Sequence, residues 1–222
     1  MATVDTTLTS LRERKKARTR RELIDVALDL FLRQGFEQST LEQIAEEAEL
    51  SISTVLRYFN SKSRLALAIN HDLLDQFRAR LEAPDREIDT LSCWREHVEE
   101  SVRFINDTPK AAALAEMYFS VQALVTGLLE VRQGYEDTIA AALVRDAAPT
   151  PMSDVHARML AAMLVAGNAA VFRAWVAGGQ REDISVNLLA AVDFAIDNFP
   201  SIRVAKPDAQ SREGSVEGIV MH

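Results

Sequence analysis

The sequence predicts an all-α protein, a three-helix head built on a helix-turn-helix followed by a C-terminal helical bundle, with about nine helices in total. Three observations carry this. Leu, Ala, Glu and Arg dominate the 222 residues, while Gly occurs only 8 times. Apolar residues recur every three or four positions along most of the chain, and the alternation expected of strands is almost absent. Finally, residues 40–58, TLEQIAEEAELSISTVLRY, read as two short amphipathic helices joined by a tight turn.

The chain opens on a basic stretch. Arg12, Arg14, Lys15, Lys16, Arg18, Arg20 and Arg21 face only one acid, Glu13, and predict a flexible basic arm over residues 1–17 that follows phosphates or a minor groove. Leu23, Ala27, Leu30 and Phe31 then make the stripe of a first helix of about four turns, stopped at Gly35. Phe36 anchors the return, and Ser39 or Thr40 caps the second helix. In that helix Leu41, Ile44, Ala45 and Ala48 share one face, and Ala45 is small enough for a third helix to cross closely. Ser51 caps the third helix. Its Val55 and Phe59 point inward, leaving Ile52, Ser53, Thr54, Arg57 and Tyr58 on the outer and flanking faces, where such a helix fits a DNA major groove.

Residues 18–62 thus form the predicted head and 63–200 a body. A fourth helix carries Leu65, Ala68, Ile69, Leu73 and Phe77 from Ser61 to about Leu81. Five more follow at about 88–106, 109–124, 127–146, 153–178 and 183–199. Pro109 suits a first turn, Gly127 a break, the 149–151 segment a loop, and Gly178-Gly179 an end. The polar, aperiodic residues 201–222 read as a disordered tail.

The formal net charge of -8 is unexpected for a nucleic-acid binder, but it is unevenly spread. Residues 1–64 carry 11 Lys and Arg against 10 Asp and Glu, so the acidity belongs to the body. An acidic body would be repelled from phosphates and would help orient the head. The single cysteine, Cys93, excludes an intrachain disulfide and a metal cluster of several thiolates. The polar start lacks the apolar segment of a signal peptide. The longest apolar run, Leu160 to Phe172, is shorter than the roughly 20 residues that span a bilayer. These features predict a soluble, cytoplasmic protein with no membrane partner. No Gly-rich phosphate loop, nucleophile elbow or metal-ligand spacing is present, and His71, His97, His156 and His222 form no evident pair with a carboxylate or thiol. We therefore expect no catalysis, no cofactor and no metal site.

Three segments together resemble the DNA-binding head of the TetR family of transcriptional regulators: LFLRQGFEQST at the end of the first helix, IAEEAELSISTVLRYF across the helix-turn-helix, and NSKSRLALAI opening the fourth helix. The resemblance covers Arg18 to Ile69, about a quarter of the chain, and no motif extends it into the body. It implies that Thr40, Thr54, Tyr58 and Lys62 donate to phosphates, and that Ile52, Ser53 and Arg57 face the bases, Arg57 being able either to bind guanine bidentately or to reach a phosphate. Ser51 and Arg18 complete the candidate DNA-binding set. Two positions depart from the family pattern. Glu49 stands where the family most often has the turn Gly, which places a strained non-Gly residue at positive φ, and Leu56 stands where an aromatic is common.

In the body, a family-like cavity would be walled by bulky or isolated polar groups on apolar faces: Trp94, His97, Phe104 and Met117, then Tyr118, Met163, Asn168 and Phe172. Met159 and Trp175 share that character. Asn168 interrupts LAAMLVAGNAAVF and needs either an interhelical hydrogen bond or a ligand. The last two helices carry apolar residues on more than one side, among them Leu160, Leu164, Val165, Val171, Leu188, Leu189, Val192, Phe194 and Ile196. They predict a homodimer paired through those helices. The resulting expectation is a ligand-responsive transcriptional regulator, a repressor, that binds a palindromic double-stranded operator as a dimer and is released by a small hydrophobic effector. The competing reading is a helical adaptor or small-molecule carrier whose head serves protein contacts. Steep salt dependence of duplex binding separates the two.

Overall fold

The computed structural model describes residues 11–147, 152–179 and 183–198, and within them it contains ten helices and no strand. The head comprises α1 (Leu11–Gln34), α2 (Leu41–Glu47) and α3 (Ile52–Tyr58). The short α4 (Lys62–Ala66) leads into the body helices α5 (Ala68–Glu82), α6 (Thr90–Asp107), α7 (Ala111–Ser120), α8 (Gln122–Asp146), α9 (Asp154–Ala177) and α10 (Ile184–Asn198). The tail at 201–222, the loop at 149–151 and the first ten residues of the arm lie outside the described residues.

The basic stretch differs from expectation. From Leu11 onward it is helical, so Arg12 to Arg18 are the exposed first turns of a 24-residue α1 and not an extended arm. Its residues are strong helix formers, with Glu13 in the first turn where an acid complements the helix dipole. The stripe Leu23, Ala27, Leu30 and Phe31 is buried as the periodicity requires, and it packs with Phe36, Ile44, Ala45, Val55 and Phe59. That core does not stop at the head. Leu65, Ala66, Leu67 and Ala68 join it from α4 and α5, as do Leu114 and Met117 of α7 and Leu124 of α8. Head and body are therefore joined through packed side chains as well as through the chain.

Three boundaries were misplaced by the sequence. The expected single fourth helix is broken at Leu67, which caps both α4 and α5 at φ -94° and ψ 12°. Pro109 does not sit in a first helical turn; it occupies the turn closed by the bond from Ala111 N–H to the Thr108 carbonyl (2.9 Å). The break between the next two helices falls at Val121, where the axes bend by 100°, and not at Gly127. Gly127 lies inside α8 for another reason: a Cβ there would stand 2.4 Å from Leu67 Cδ1, so any side chain would have to displace that methyl group of the α4–α5 corner.

The body packs α8 against α9, α9 against α10, and α10 against α6 around a second core of Phe77, Trp94, Ile139, Leu160, Leu164 and Val192. A nearly buried polar clamp ties its ends. Asp146, at the end of α8, accepts from Arg86 Nη1 (3.0 Å), Thr90 N–H (2.9 Å) and Thr90 Oγ1 (2.6 Å), anchoring the start of α6. By length and composition α9 is apolar enough to cross a bilayer, contrary to the expectation from its longest run, yet in the fold Ala157, Leu160, Ala161 and Leu164 are buried against its neighbours.

Candidate functional site

In the helix-turn-helix, Thr40 caps α2 through a reciprocal capping box: its hydroxyl accepts from Gln43 N–H (3.2 Å), and the Gln43 side chain accepts from Thr40 N–H (3.0 Å). The turn takes the form of a Schellman motif. Leu50 N–H donates to the Ala45 carbonyl (2.8 Å), Glu49 N–H donates to the Glu46 carbonyl (3.0 Å), and Glu49 adopts φ 54°. The expected strain at Glu49 is thus present, and its carboxylate is exposed beside the reading helix.

Ser51 caps α3, accepting from Thr54 N–H (3.2 Å), and its hydroxyl lies 2.9 Å from that of Ser53 and 2.8 Å from that of Thr54. Ser53 and Arg57 are exposed, Ile52, Thr54 and Tyr58 half-buried, and Val55 and Phe59 fully inside. Leu56 is solvent-exposed, so the departure from an aromatic there costs the core nothing. The Arg57 guanidinium lies 5.8 Å from the Tyr58 ring centre. Thr40, Ser53 and Arg57 are thus solvent-exposed at the starts and outer face of α2 and α3, with Thr54 and Tyr58 half-buried beside them. Arg18 is exposed about two turns into α1 and paired at 2.7 Å with Glu22, a solvent-screened contact readily exchanged.

Lys62 departs from its expected role. Its ammonium points into the head, donating to the carbonyls of Phe36 (2.7 Å), Ser39 (2.9 Å) and Glu37 (3.4 Å), with the Phe36 ring centre 4.3 Å away. Its three donors are engaged in holding the α1–α2 loop, so in this arrangement it is not a phosphate donor. Sequence reasoning also missed Arg20, which makes a two-pronged contact with Asp72 of α5 (Nη2 to Oδ1, 2.7 Å) and lies over the Phe59 ring. Only a pairing 52 residues distant in sequence reveals that this cation belongs to the head–body junction.

The body carries a partly open cavity of about 360 Å³ lined from α5, α6, α7, α8, α9 and α10, in the size range of small-molecule sites. Six of the eight expected wall residues line it: Trp94, His97, Phe104, Tyr118, Asn168 and Phe172. Two do not. Met117 is buried in the core shared with the head, and Met163 is exposed on the outer face of α9. Helical period alone cannot tell which of two buried faces borders an empty space. Trp94, His97 and Tyr135 of the wall form an aromatic cluster with Phe77 behind them, His97 lying 4.8 Å from the Phe77 ring and 5.2 Å from that of Tyr135. Burial, aided by the charge of Arg80, lowers the His97 pKa to about 4, so the imidazole is neutral at pH 7. Tyr118 donates its hydroxyl to the Ala66 carbonyl (3.1 Å), touching the α4–α5 corner from the cavity wall. Asn168 finds no interhelical partner: neither its amide nitrogen nor its oxygen is hydrogen-bonded, and Trp94 Nε1 is equally open.

The outer faces of α9 and α10 carry a further feature. Val155, Met159 and Met163 on one, and Val186 and Phe194 on the other, are more than half exposed. Several residues expected at a dimer contact, Leu160, Leu164, Val165, Leu188 and Val192, are instead buried within the chain. Among the described residues no group of three or more His, Cys, Asp or Glu is placed to hold a metal.

The described residues thus form an all-helical fold in which a helix-turn-helix head is joined through packed helices to a body with an apolar cavity. Residues 23–69 match the family model for bacterial regulatory proteins of the tetR family. The transcriptional regulator TcmR of Streptomyces glaucescens is 49% identical over 72 residues, a match spanning 32% of this chain and 32% of TcmR. RutR of Escherichia coli K12 is 29% identical over 153 residues, 67% of this chain and 72% of that protein. Among solved structures, the SmeT–triclosan complex superposes with a TM-score of 0.62 over 92% of this chain and all of that one, at 20% identity. FadR from Bacillus subtilis, solved with stearoyl-CoA, reaches 0.57 over 79% of this chain and 97% of that one, at 17% identity. These two likenesses concern the fold. The chain thus resembles TetR-family transcriptional regulators, the family match itself being confined to residues 23–69.

Proposed function

We propose that the protein is a ligand-responsive transcriptional repressor that binds a palindromic operator as a dimer in the cytoplasm and releases it when a small, mainly apolar molecule occupies the body cavity. The observation that carries this reading is the placement of the cavity. Its wall includes Ile69, Asn70 and Leu73 of α5, the helix entered from the head through the Leu67 corner, so an occupant presses on the element that sets the head's position. Structural relatives solved with stearoyl-CoA and with triclosan support a ligand role for such a body.

Thr40, Thr54 and Tyr58 are the phosphate donors in this reading, with Ser51 closing the helix start beside them. Ile52, Ser53 and Arg57 face the bases, and Arg18 with its basic neighbours runs along the flanking backbone. The exposed apolar stripes of α9 and α10 pair with those of a second copy, which sets two reading helices at a fixed spacing. Release follows if the ligand-bound conformation holds the heads at a separation that does not fit both half-sites. A differential of about 3 kcal/mol weakens binding more than a hundredfold.

Selection of bound duplexes from a random DNA pool tests the reading. A two-fold symmetric consensus is expected. Absence of enrichment with folded protein points to the adaptor function instead. Replacing Thr54 with Ala and Tyr58 with Phe together is expected to weaken binding to that consensus by about tenfold or more without unfolding the chain; unchanged affinity removes both from the interface.

A further inference from the structure

Resting on the reading of the body cavity as an effector site, we propose that its effector is an organic acid: an apolar, ring-bearing molecule with an ionised oxygen head and a hydroxyl group beside it. Two wall residues, Trp94 and Asn168, carry three hydrogen-bonding atoms, the indole Nε1 and the amide Nδ2 and Oδ1, each buried without a partner. An unpaired buried polar atom is destabilising until something complements it. The indole and the amide nitrogen only donate, so they require acceptors on the ligand, while the amide oxygen requires an O–H or N–H. Tyr135 adds a phenol that burial keeps protonated, again a donor. Among the unpaired atoms of Trp94 and Asn168, two donate and one accepts.

Charge narrows the class further. The charged side chains lining the cavity are Arg132 and Arg173, and no Asp or Glu lines it. Arg132 is shared with Glu136 at 2.9 Å, whereas exposed Arg173 pairs with no described carboxylate. An ammonium ligand would lose its hydration against two guanidiniums and gain no counter-charge, while a carboxylate or acidic phenolate gains both attraction and donors. His97 is neutral and leaves this balance unchanged. The apolar remainder, with Phe104, Phe172 and Trp94 presenting ring faces and edges, suits an aromatic body.

Calorimetric titration of the full chain with four probes decides the matter: 3-hydroxy-2-naphthoate, its methyl ester, 2-naphthoate and 2-naphthylmethylammonium. The hydroxy acid is expected to bind about tenfold or more tightly than its ester and several-fold more tightly than the plain acid, with no binding of the ammonium. Arg173→Gln should abolish most of the preference for acid over ester. Asn168→Leu should abolish the advantage of the hydroxyl, with circular dichroism showing that both variants fold. An ester or ammonium that binds as well as the acid overturns the proposed class while leaving the cavity reading in place. Failure of all four probes overturns the cavity reading together with the class.

Discussion

At the scale of single residues, the head shows how one side chain is diverted from a surface role by local geometry. Lys62 stands at a helix start beside the reading helix, yet its ammonium donates to three loop carbonyls. Lys62→Met is therefore expected to cost the fold about 2 kcal/mol in denaturant titration, while leaving the slope of log affinity against log salt unchanged. Arg57→Met should lower that slope by about one if its guanidinium meets a phosphate. His97 gives a pH-dependent prediction. Its folded pKa of about 4 lies below the ordinary 6.5 because burial favours the neutral ring. The unfolded chain takes up the proton as pH falls through 6.5, and the folded chain does not until near 4, so the associated stability is intact above 6.5 and drains between those values by about 3 kcal/mol. Measured against wild type, His97→Phe, which preserves an aromatic ring in the cluster, should flatten that acid-side loss.

At the scale of elements, the contact between α8 and the α4–α5 corner is a close approach that Gly makes possible. Gly127 receives Leu67, and Gly134 receives Leu74, two pairs separated by the same seven residues on each helix. The seam joins a helix that walls the cavity to the helices that carry the head. Leu67 is only 1% exposed, so its displaced methyl group must press on packed neighbours, and Gly127→Ala is expected to destabilise the fold by about 1–3 kcal/mol through overpacking. Adding Leu67→Ala should make the double variant less unstable than the sum of the single changes, as a double-mutant cycle by thermal unfolding can measure.

On the scale of the whole molecule, α9 and α10 divide their apolar residues between two faces. Leu160 and Leu164 close the chain's own core, while Met159, Met163 and Phe194 remain outside with a face of their own. The homodimer proposed above covers that face. Met163→Glu, a site 54% exposed in the single chain, should leave folding intact and yield monomers in sedimentation. Operator affinity should fall with it, since each half-site is then bound alone.

The sequence by itself determined what depends on short-range order. Apolar residues at helical spacing specify helices and their inward faces, and Ile44, Ala45, Val55 and Phe59 specify the crossing of the helix-turn-helix. The strained conformation of Glu49 was equally legible, because the residue type required at a turn is a local matter. Tertiary structure decided the rest. Asn168 and Trp94 face a cavity, Met163 faces outward, and Met117 packs beneath the head, although all four sit on similar apolar stripes. Gly127 looked like a helix break and proved to be a seat for Leu67, and Lys62 looked like a phosphate donor and proved to be a clamp. Periodicity fixes the direction of a side chain relative to its own helix axis. Which helix, empty space or carbonyl lies in that direction is set by packing between segments far apart in the chain.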